Sequence, residues 1–216
     1  MNEWLIAEDE IALFLDLTRI DSFVMISATR EMMAERSTSL RLLPLNRQLG
    51  NVAEDVKSLD QDMVSFKARR ARARSANLRK ERQRDYARLG LAMENPELHQ
   101  NAETAHLGLL WLDQCHCQLP RIWSYLDAYL QLALEFRESP VADAEIETIL
   151  AGLGHKVEGP LSLSLADVSG RLDKEIEAKG VFSAPAFYFR GDRFIGQQHL
   201  PYLDWKLSGS RGVAPV

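Results

Sequence analysis

The stretch of sequence that decides the fold runs from residue 180 to residue 200 and reads Gly180-Val181-Phe182-Ser183-Ala184-Pro185-Ala186-Phe187-Tyr188-Phe189-Arg190-Gly191-Asp192-Arg193-Phe194-Ile195-Gly196-Gln197-Gln198-His199-Leu200. Its apolar and aromatic run at 186–189 predicts a strand, and 193–195 predicts the antiparallel partner. Gly191-Asp192 between them predicts a two-residue hairpin turn. An amphipathic helix is predicted before this stretch, at 165–179, and a closing helix follows from residue 200 onward.

The first 45 residues predict a strand, a helix and a second strand. Residues 11–17 form a nearly continuous apolar run, which is typical of a strand buried on both faces. Asp21 or Ser22 is the predicted N-cap of a helix that extends as far as Arg36. A second strand follows at 40–45, so the unit is expected to be a right-handed parallel crossover.

Residues 52–154 are helical in pattern throughout, with breaks at Pro96, Pro120 and Pro140 and a last helix that ends at Gly152 and Gly154. The complete order of elements predicts the α/β class. It is the order of a thioredoxin fold with a large all-helical insertion after the second strand. The thioredoxin-like domain is assigned to residues 1–50 and 155–216, and the helical insertion to 51–154.

Composition limits the cellular compartments and the kinds of site that the chain is expected to have. The 216 residues carry a net charge of −5 and contain no apolar run long enough to cross a bilayer. The first residues lack a basic segment followed by an apolar run, so we expect no secretory signal. Only two cysteines occur, in Cys115-His116-Cys117, which is too few for a disulfide framework. On a helix their sulfurs would point apart, so no metal site is expected. We therefore expect a cytoplasmic protein without a membrane span or a metal ion.

One segment is strongly basic. Between Lys67 and Arg88 there are ten Lys or Arg residues against only two acids, Glu81 and Asp85. Such a run can meet nucleic acid, an acidic partner or the acidic remainder of the same chain. Tyr86 is its only aromatic residue, and it matches no DNA-reading motif, which argues against nucleic acid as a partner. A solvated helix is the favoured interpretation.

Three segments carry a family resemblance. The segments 180–187 and 191–200, quoted above, are similar to G-V-F-G-V-P-T-F and G-x-x-F-x-G-Q-D-R-L, and Arg84-Asp85-Tyr86-Ala87-Arg88-Leu89-Gly90-Leu91 is similar to R-D-x-x-R-W-A-x-x-x-G-L. These patterns belong to the DsbA-like branch of the thioredoxin superfamily. The chain most resembles its 2-hydroxychromene-2-carboxylate isomerases and kappa-class glutathione transferases. The resemblance covers nearly the whole chain.

The active-site motif of that family is degenerate in this chain. The family has Ser or Cys where Arg19 stands, and the following proline and aromatic residue are replaced by Ile20 and Asp21. No Cys-x-x-Cys exists, so disulfide oxidoreductase activity is not expected. Arginine cannot act as a nucleophile, but it can pair with an anion or a bound thiolate. We expect Arg19 to stabilise a substrate anion, and Ser22 or Thr18 to supply a hydroxyl. The alternative is that Ser22 is only an N-cap and Arg19 a surface side chain.

The other half of the family site is retained. The resemblance implies a cis bond before Pro185 and recognition of glutathione by the backbone of Ala184. Gln197 is kept, whereas Gln198 replaces the acidic residue that meets the glutathione α-amino group.

The resemblance implies a glutathione- or thiol-linked isomerase or transferase that acts on a small-molecule or thiol substrate, with glutathione as the cofactor, and a homodimer. The alternative is a non-catalytic binding or scaffold protein that keeps only the peptide-binding backbone. Seven aromatic residues of the second half are more than one modest core needs and support the homodimer independently: Trp111, Trp123, Tyr125, Tyr129, Phe136, Tyr202 and Trp205.

Overall fold

The structure is a computed structural model of the whole chain. It describes residues 6, 7, 9–34, 36, 38–45, 70, 73, 76, 77, 80, 81, 83, 84, 86–91, 98, 101–136 and 139–215. The chain divides into two compact units, of which the first comprises residues 1–47 and 96–216 and the second residues 48–95.

A parallel pair of strands forms the centre of the first unit. Strand β1 spans Ile11–Leu15, helix α1 spans Ile20–Met33 and strand β2 spans Leu40–Pro44. The strands pair in register from Ile11 opposite Leu40 to Leu15 opposite Pro44. Every residue of β1 is buried, because its apolar side chains are covered on both faces of the sheet. The strand–helix–strand prediction is confirmed.

The predicted N-cap of α1 is wrong. The helix begins at Ile20, so Arg19 occupies the N-cap position, with φ −116° and no side-chain hydrogen bond that caps the helix. Ser22 does not cap the helix because its hydroxyl is bonded to the backbone of Asp16, at the end of β1.

In the described part of the first unit, four helices lie between β2 and the next strand: α2 (Glu103–Gln114), α3 (Leu119–Glu135), α4 (Asp143–Gly152) and α5 (Leu161–Ala178). The first three match the helical pattern of the sequence. Helix α5 begins four residues before the predicted start at 165, because Pro160 forms its N-cap and the helix continues directly from it.

An antiparallel hairpin completes the sheet. Strand β3 spans Ala186–Phe189, strand β4 spans Asp192–Ile195, and the closing helix α6 spans Leu200–Leu207. The turn consists of Arg190 and Gly191, one position before the predicted pair, and both have positive φ, 48° and 86°. Two consecutive positive φ values are the signature of a type I′ turn, and the glycine at its second central position adopts this conformation without steric cost.

The four strands lie in the order β2-β1-β3-β4, and β3 is antiparallel to both of its neighbours. This is the arrangement that the predicted thioredoxin topology requires. Of the helices after β2, those between residues 103 and 152 lie in the same compact unit as the sheet. The assignment of 51–154 as one insertion remains a prediction, and residues 51–69 lie outside the described part.

In the second unit, the described residues from 70 to 88 are helical and mostly exposed. Four members of the basic run are described there, namely Arg70, Lys80, Arg84 and Arg88, and all four are exposed, as a solvated helix requires. The other six basic residues lie outside the described part. Tyr86 is buried, at 8 % exposure.

The described residues contain neither a candidate membrane span nor a candidate metal site. No helix among them has the length and apolar character needed to span a bilayer. No group of three or more metal-ligating side chains comes together in the same part of the chain.

Candidate functional site

The sheet register brings the two halves of the predicted site together. Ala12 lies opposite Tyr188 and Phe14 opposite Ala186. Because the two strands are antiparallel, the end of β1, which leads into α1, and the start of β3, which follows Ala184 and Pro185, lie at the same end of the sheet. The peptide bond between Ala184 and Pro185 is cis.

Asp16 organises that loop. One carboxylate oxygen accepts hydrogen bonds from the backbone N–H of Thr18 at 3.0 Å and from the Thr18 hydroxyl at 2.6 Å. The Asp16 carbonyl accepts from the backbone N–H of Arg19 at 3.1 Å. A side-chain oxygen that binds a backbone N–H two residues later is an Asx turn, which fixes the path of the chain. The Thr18 hydroxyl therefore donates its proton within the loop.

Ser22 is also bonded within the loop. It is fully buried, at 0 % exposure. Its hydroxyl donates to the Asp16 carbonyl at 2.7 Å and accepts from the Asp16 N–H at 3.1 Å. The only proton of the hydroxyl is thus used between the end of β1 and the first turn of α1, where it joins the two elements.

Arg19 is the exposed member of the predicted set. Its guanidinium pairs with the Asp21 carboxylate at 2.8 Å, and its side chain is 47 % exposed. No side chain caps α1, and of the N–H groups in its first turn that of Ser22 donates to the Arg19 carbonyl at 3.1 Å. The helix N-terminus carries a partial positive charge. Together with Arg19 it forms an electropositive end of α1.

His106 contacts the loop at the end of β1, a role that the sequence did not indicate. The side chain is buried, at 3 % exposure, and Nε2 accepts the backbone N–H of Leu17 at 2.8 Å. Nε2 also lies 3.9 Å from a carboxylate oxygen of Asp16. Burial lowers the pKa of His106 to about 4, against the opposing charge of Asp16, so the ring is neutral near pH 7. No sequence signal indicates this contact, because 89 positions separate the two residues.

Asp16, Thr18 and Ser22 form a polar cluster at the end of β1, and Tyr129 borders this cluster from α3. It is 2 % exposed, and its pKa is raised by burial and by the charge of Asp16. It also lines a cleft of about 350 Å³ beside the first turns of α2 and α4. The polar cluster at the end of β1 is therefore closed by aromatic and imidazole side chains on the α2–α3 side, and its exposed side is the one with Arg19.

The second half of the site offers backbone groups. The Pro185 carbonyl accepts the Gly196 N–H at 3.1 Å, which extends the hairpin by one residue. Ala184 makes no hydrogen bond with the described part of the chain, and it is buried, at 7 % exposure. Gln197 begins a short 3₁₀ turn, and the Gln198 amide donates to the Ile195 carbonyl at 2.9 Å.

Comparison with known proteins tests the fold. No protein-family model matches the sequence, and no curated protein matches it. A solved structure of a probable DsbA oxidoreductase from Streptomyces coelicolor superposes with a TM-score of 0.61 at 15 % identity, over 96 % of this chain and 93 % of that one. The chain has a DsbA-like thioredoxin fold. The order β2-β1-β3-β4 and the helices between β2 and β3 are features of that fold in this protein.

Two further structures have the DsbA-like thioredoxin fold of this chain. A 2-hydroxychromene-2-carboxylate isomerase matches with a TM-score of 0.55 at 13 % identity, over 93 % of this chain and 95 % of that one. A candidate protein disulfide isomerase from Nitrosomonas europaea matches with a TM-score of 0.59 at 14 % identity, over 95 % of this chain and 100 % of that one. The predicted superfamily resemblance is confirmed at the level of the fold.

Proposed function

We propose that this DsbA-like protein binds glutathione or a related thiol between the N-terminus of α1 and Ala184, and acts as a glutathione- or thiol-linked isomerase or transferase. The observation that carries the proposal is the antiparallel register between β1 and β3, because it puts the end of β1 and the start of β3 at the same end of the sheet. A ligand in that position meets backbone donors and acceptors on one side and positive charge on the other.

The backbone of Ala184 supports recognition of an extended cysteinyl group. A peptide-like ligand can pair with a backbone N–H and C=O as an added strand does, and Ala184 makes no hydrogen bond within the described chain. Gln197 and Gln198 follow in the adjacent turn. Neither carries a charge, so they would bind the α-amino group of glutathione less strongly than an acidic residue does.

Arg19 and the first turn of α1 support stabilisation of an anion. A thiolate or an enolate oxygen at a helix N-terminus gains from the free N–H groups and from the macrodipole. Arg19 is exposed and next to those groups, and Asp21 is the carboxylate that pairs with it among the described residues. We assign Arg19 to charge stabilisation. Thr18 and Ser22, whose hydroxyl protons are bound by Asp16, are assigned to holding the loop.

A second candidate function has its own support. Because the hydroxyls of Thr18 and Ser22 both donate within the loop, the described residues of this site present no free hydroxyl or thiol nucleophile to a ligand. A non-catalytic protein that binds a peptide or thiol through Ala184 would have this arrangement. Turnover of a hydroxychromene or an aryl halide in the presence of glutathione separates the two functions, because only the first predicts a rate above background.

Calorimetric titration with glutathione tests the binding step. We expect saturable binding at millimolar ligand, and a loss of about tenfold in affinity for Arg19→Ala, because a hydrogen bond to a charged group contributes about 1.5–3 kcal/mol. Arg19→Lys should retain part of the affinity. Arg171→Ala removes an exposed arginine from α5 and is the control, for which no change is expected. Equal affinities for the unmodified chain and Arg19→Ala would remove Arg19 from the proposal.

We also propose that the protein is a cytoplasmic homodimer. Of the seven aromatic residues that motivate the dimer, Tyr125 and Tyr129 are buried within one chain. The other five remain partly exposed and are available to an interface: Trp111, Trp123, Phe136, Tyr202 and Trp205. Sedimentation at micromolar concentration tests the assembly, and a mass near that of one chain, 24.5 kDa, would contradict it.

A further inference from the structure

The two cysteines of the chain lie outside its helices. The helical geometry considered for them in the sequence therefore does not apply. Helix α2 ends at Gln114, and Cys115 is its C-cap. His116 follows with φ 52°, and Cys117 lies in the turn that leads into α3. Both thiols are free. The left-handed backbone at His116 turns the chain, so the two side chains leave it in different surroundings.

Cys117 is paired with a histidine from a distant part of the chain. Its Sγ lies 3.0 Å from Nε2 of His155, which follows α4, and the contact is partly buried. The His155 backbone N–H is held by the Leu150 carbonyl at 2.9 Å, which fixes the base of the side chain. An imidazole nitrogen within hydrogen-bond distance of a thiol can take its proton when the sulfur attacks.

The surroundings of Cys117 affect the protonation of its sulfur. Gln118, the next residue, is the N-cap of the 17-residue helix α3, whose N-terminal end favours a thiolate. Burial raises the pKa of the Cys117 thiol, and the positive charge of Arg121 opposes that increase. Because burial keeps the sulfur protonated, a nearby base is needed for nucleophilic attack, and His155 is in position to provide it.

Cys115 has the opposite surroundings. It is exposed, and it lies at the C-terminal end of α2, where the macrodipole disfavours a negative charge. Burial also raises the pKa of its thiol. No imidazole lies within hydrogen-bond distance of its sulfur among the described residues. The chain thus supplies its own control: exposure alone favours reaction at Cys115, whereas the histidine and the helix N-terminus favour Cys117.

We propose that Cys117, with His155 as its base, is a site of reversible S-thiolation by low-molecular-weight disulfides. The Cys117 sulfur attacks one sulfur of the disulfide, and its proton passes to Nε2 of His155. A sulfur–sulfur bond forms to Cys117 as the bond within the disulfide breaks. The leaving thiolate takes the proton from His155 and departs as a free thiol. A second thiol reverses the reaction. The site lies between α2 and α3 and does not depend on the glutathione site at α1.

The rate of reaction with 2,2′-dithiodipyridine, followed by the release of thiopyridone, tests this proposal. In Cys115→Ser the remaining Cys117 should react about tenfold faster at pH 7 than Cys115 does in Cys117→Ser, since a positioned base contributes a factor of about a hundred or more when it is fully effective. His155→Ala should slow Cys117 by about tenfold and leave the rate of Cys115 unchanged.

The circular dichroism spectrum shows that each variant is folded. Treatment of the unmodified chain with oxidised glutathione should place the adduct on the peptide that contains Cys117, and dithiothreitol should remove it. A faster Cys115, or a Cys117 rate that is the same with and without His155, would overturn the proposal.

Discussion

The backbone N–H of Leu17 donates to Nε2 of His106 at 2.8 Å, although the two residues are 89 positions apart in the sequence. The bond joins the end of β1 to α2 and orients the loop from Asp16 to Arg19. Because the acceptor is a buried neutral imidazole, the loop is held by a group whose charge state depends on pH.

Replacing His106 should destabilise the fold. His106→Ala leaves the buried Leu17 N–H without an acceptor and opens a cavity, so we expect a loss of about 3 kcal/mol in the free energy of unfolding. His106→Gln keeps an acceptor and should lose clearly less. Urea unfolding measures both, and equal losses for the two variants would show that the hydrogen bond contributes little.

The free energy of unfolding should also decrease as the pH is lowered, because of the same residue. The pKa of His106 is lowered by burial from 6.5 to about 4, so between these values the unfolded chain binds a proton that the folded chain does not. The contribution is complete above about pH 6.5 and is lost as pH falls toward 4, by at most about 1.4 kcal/mol per pH unit. His106→Gln should have a flatter profile between pH 7 and pH 5. Parallel profiles would contradict the assignment.

An ion pair between β2 and α2 should contribute more than a surface pair does. Arg41 binds Asp113 through two nitrogens, at 2.8 and 2.7 Å, and the Asp113 side chain is only 7 % exposed. Asp113→Ala should cost about 2 kcal/mol, because it leaves a largely buried guanidinium short of a partner. Asp127→Ala, which breaks the exposed pair with Arg30, is the control and should cost less than about 1 kcal/mol.

Two helical glycines should respond to alanine in opposite directions. A Cβ at Gly108 in α2 would collide with the hydroxyl of Tyr125, which is fully buried and bonded to the Ala105 carbonyl at 2.7 Å. Gly108→Ala should therefore destabilise by about 1–3 kcal/mol. A Cβ at Gly170 in α5 meets nothing within 4 Å, so Gly170→Ala should stabilise by about 0.5–1 kcal/mol. Thermal melts of the two variants give the comparison.

Local patterns predicted most of the fold because each element carries its own signal. The continuous apolar run of β1 and the aromatic run of β3 are sufficient to place strands, and prolines and glycines end the helices. The hairpin turn was displaced by one residue because a type I′ turn uses Gly191 as its second central residue and forces Arg190 to a positive φ. Arginine gives no local indication of that conformation.

The candidate site was less predictable because its contacts are long-range. Serine is common at N-caps, so the pattern assigned Ser22 there, whereas its hydroxyl bonds to Asp16 six residues earlier. His106 and His155 acquire their contacts only when distant helices pack, and neither has a motif around it. The family resemblance located Arg19 and Ala184. It could not indicate that Asp21 pairs with Arg19.

A crystal structure of the protein soaked with millimolar glutathione tests the central claim most directly. The account predicts that the glutathione sulfur lies at the N-terminus of α1, beside Arg19. It also predicts that the cysteinyl backbone pairs with Ala184 at ordinary hydrogen-bond distances of about 2.9 Å. A site that stays empty at that concentration, or glutathione bound only as a disulfide on Cys117, would contradict it.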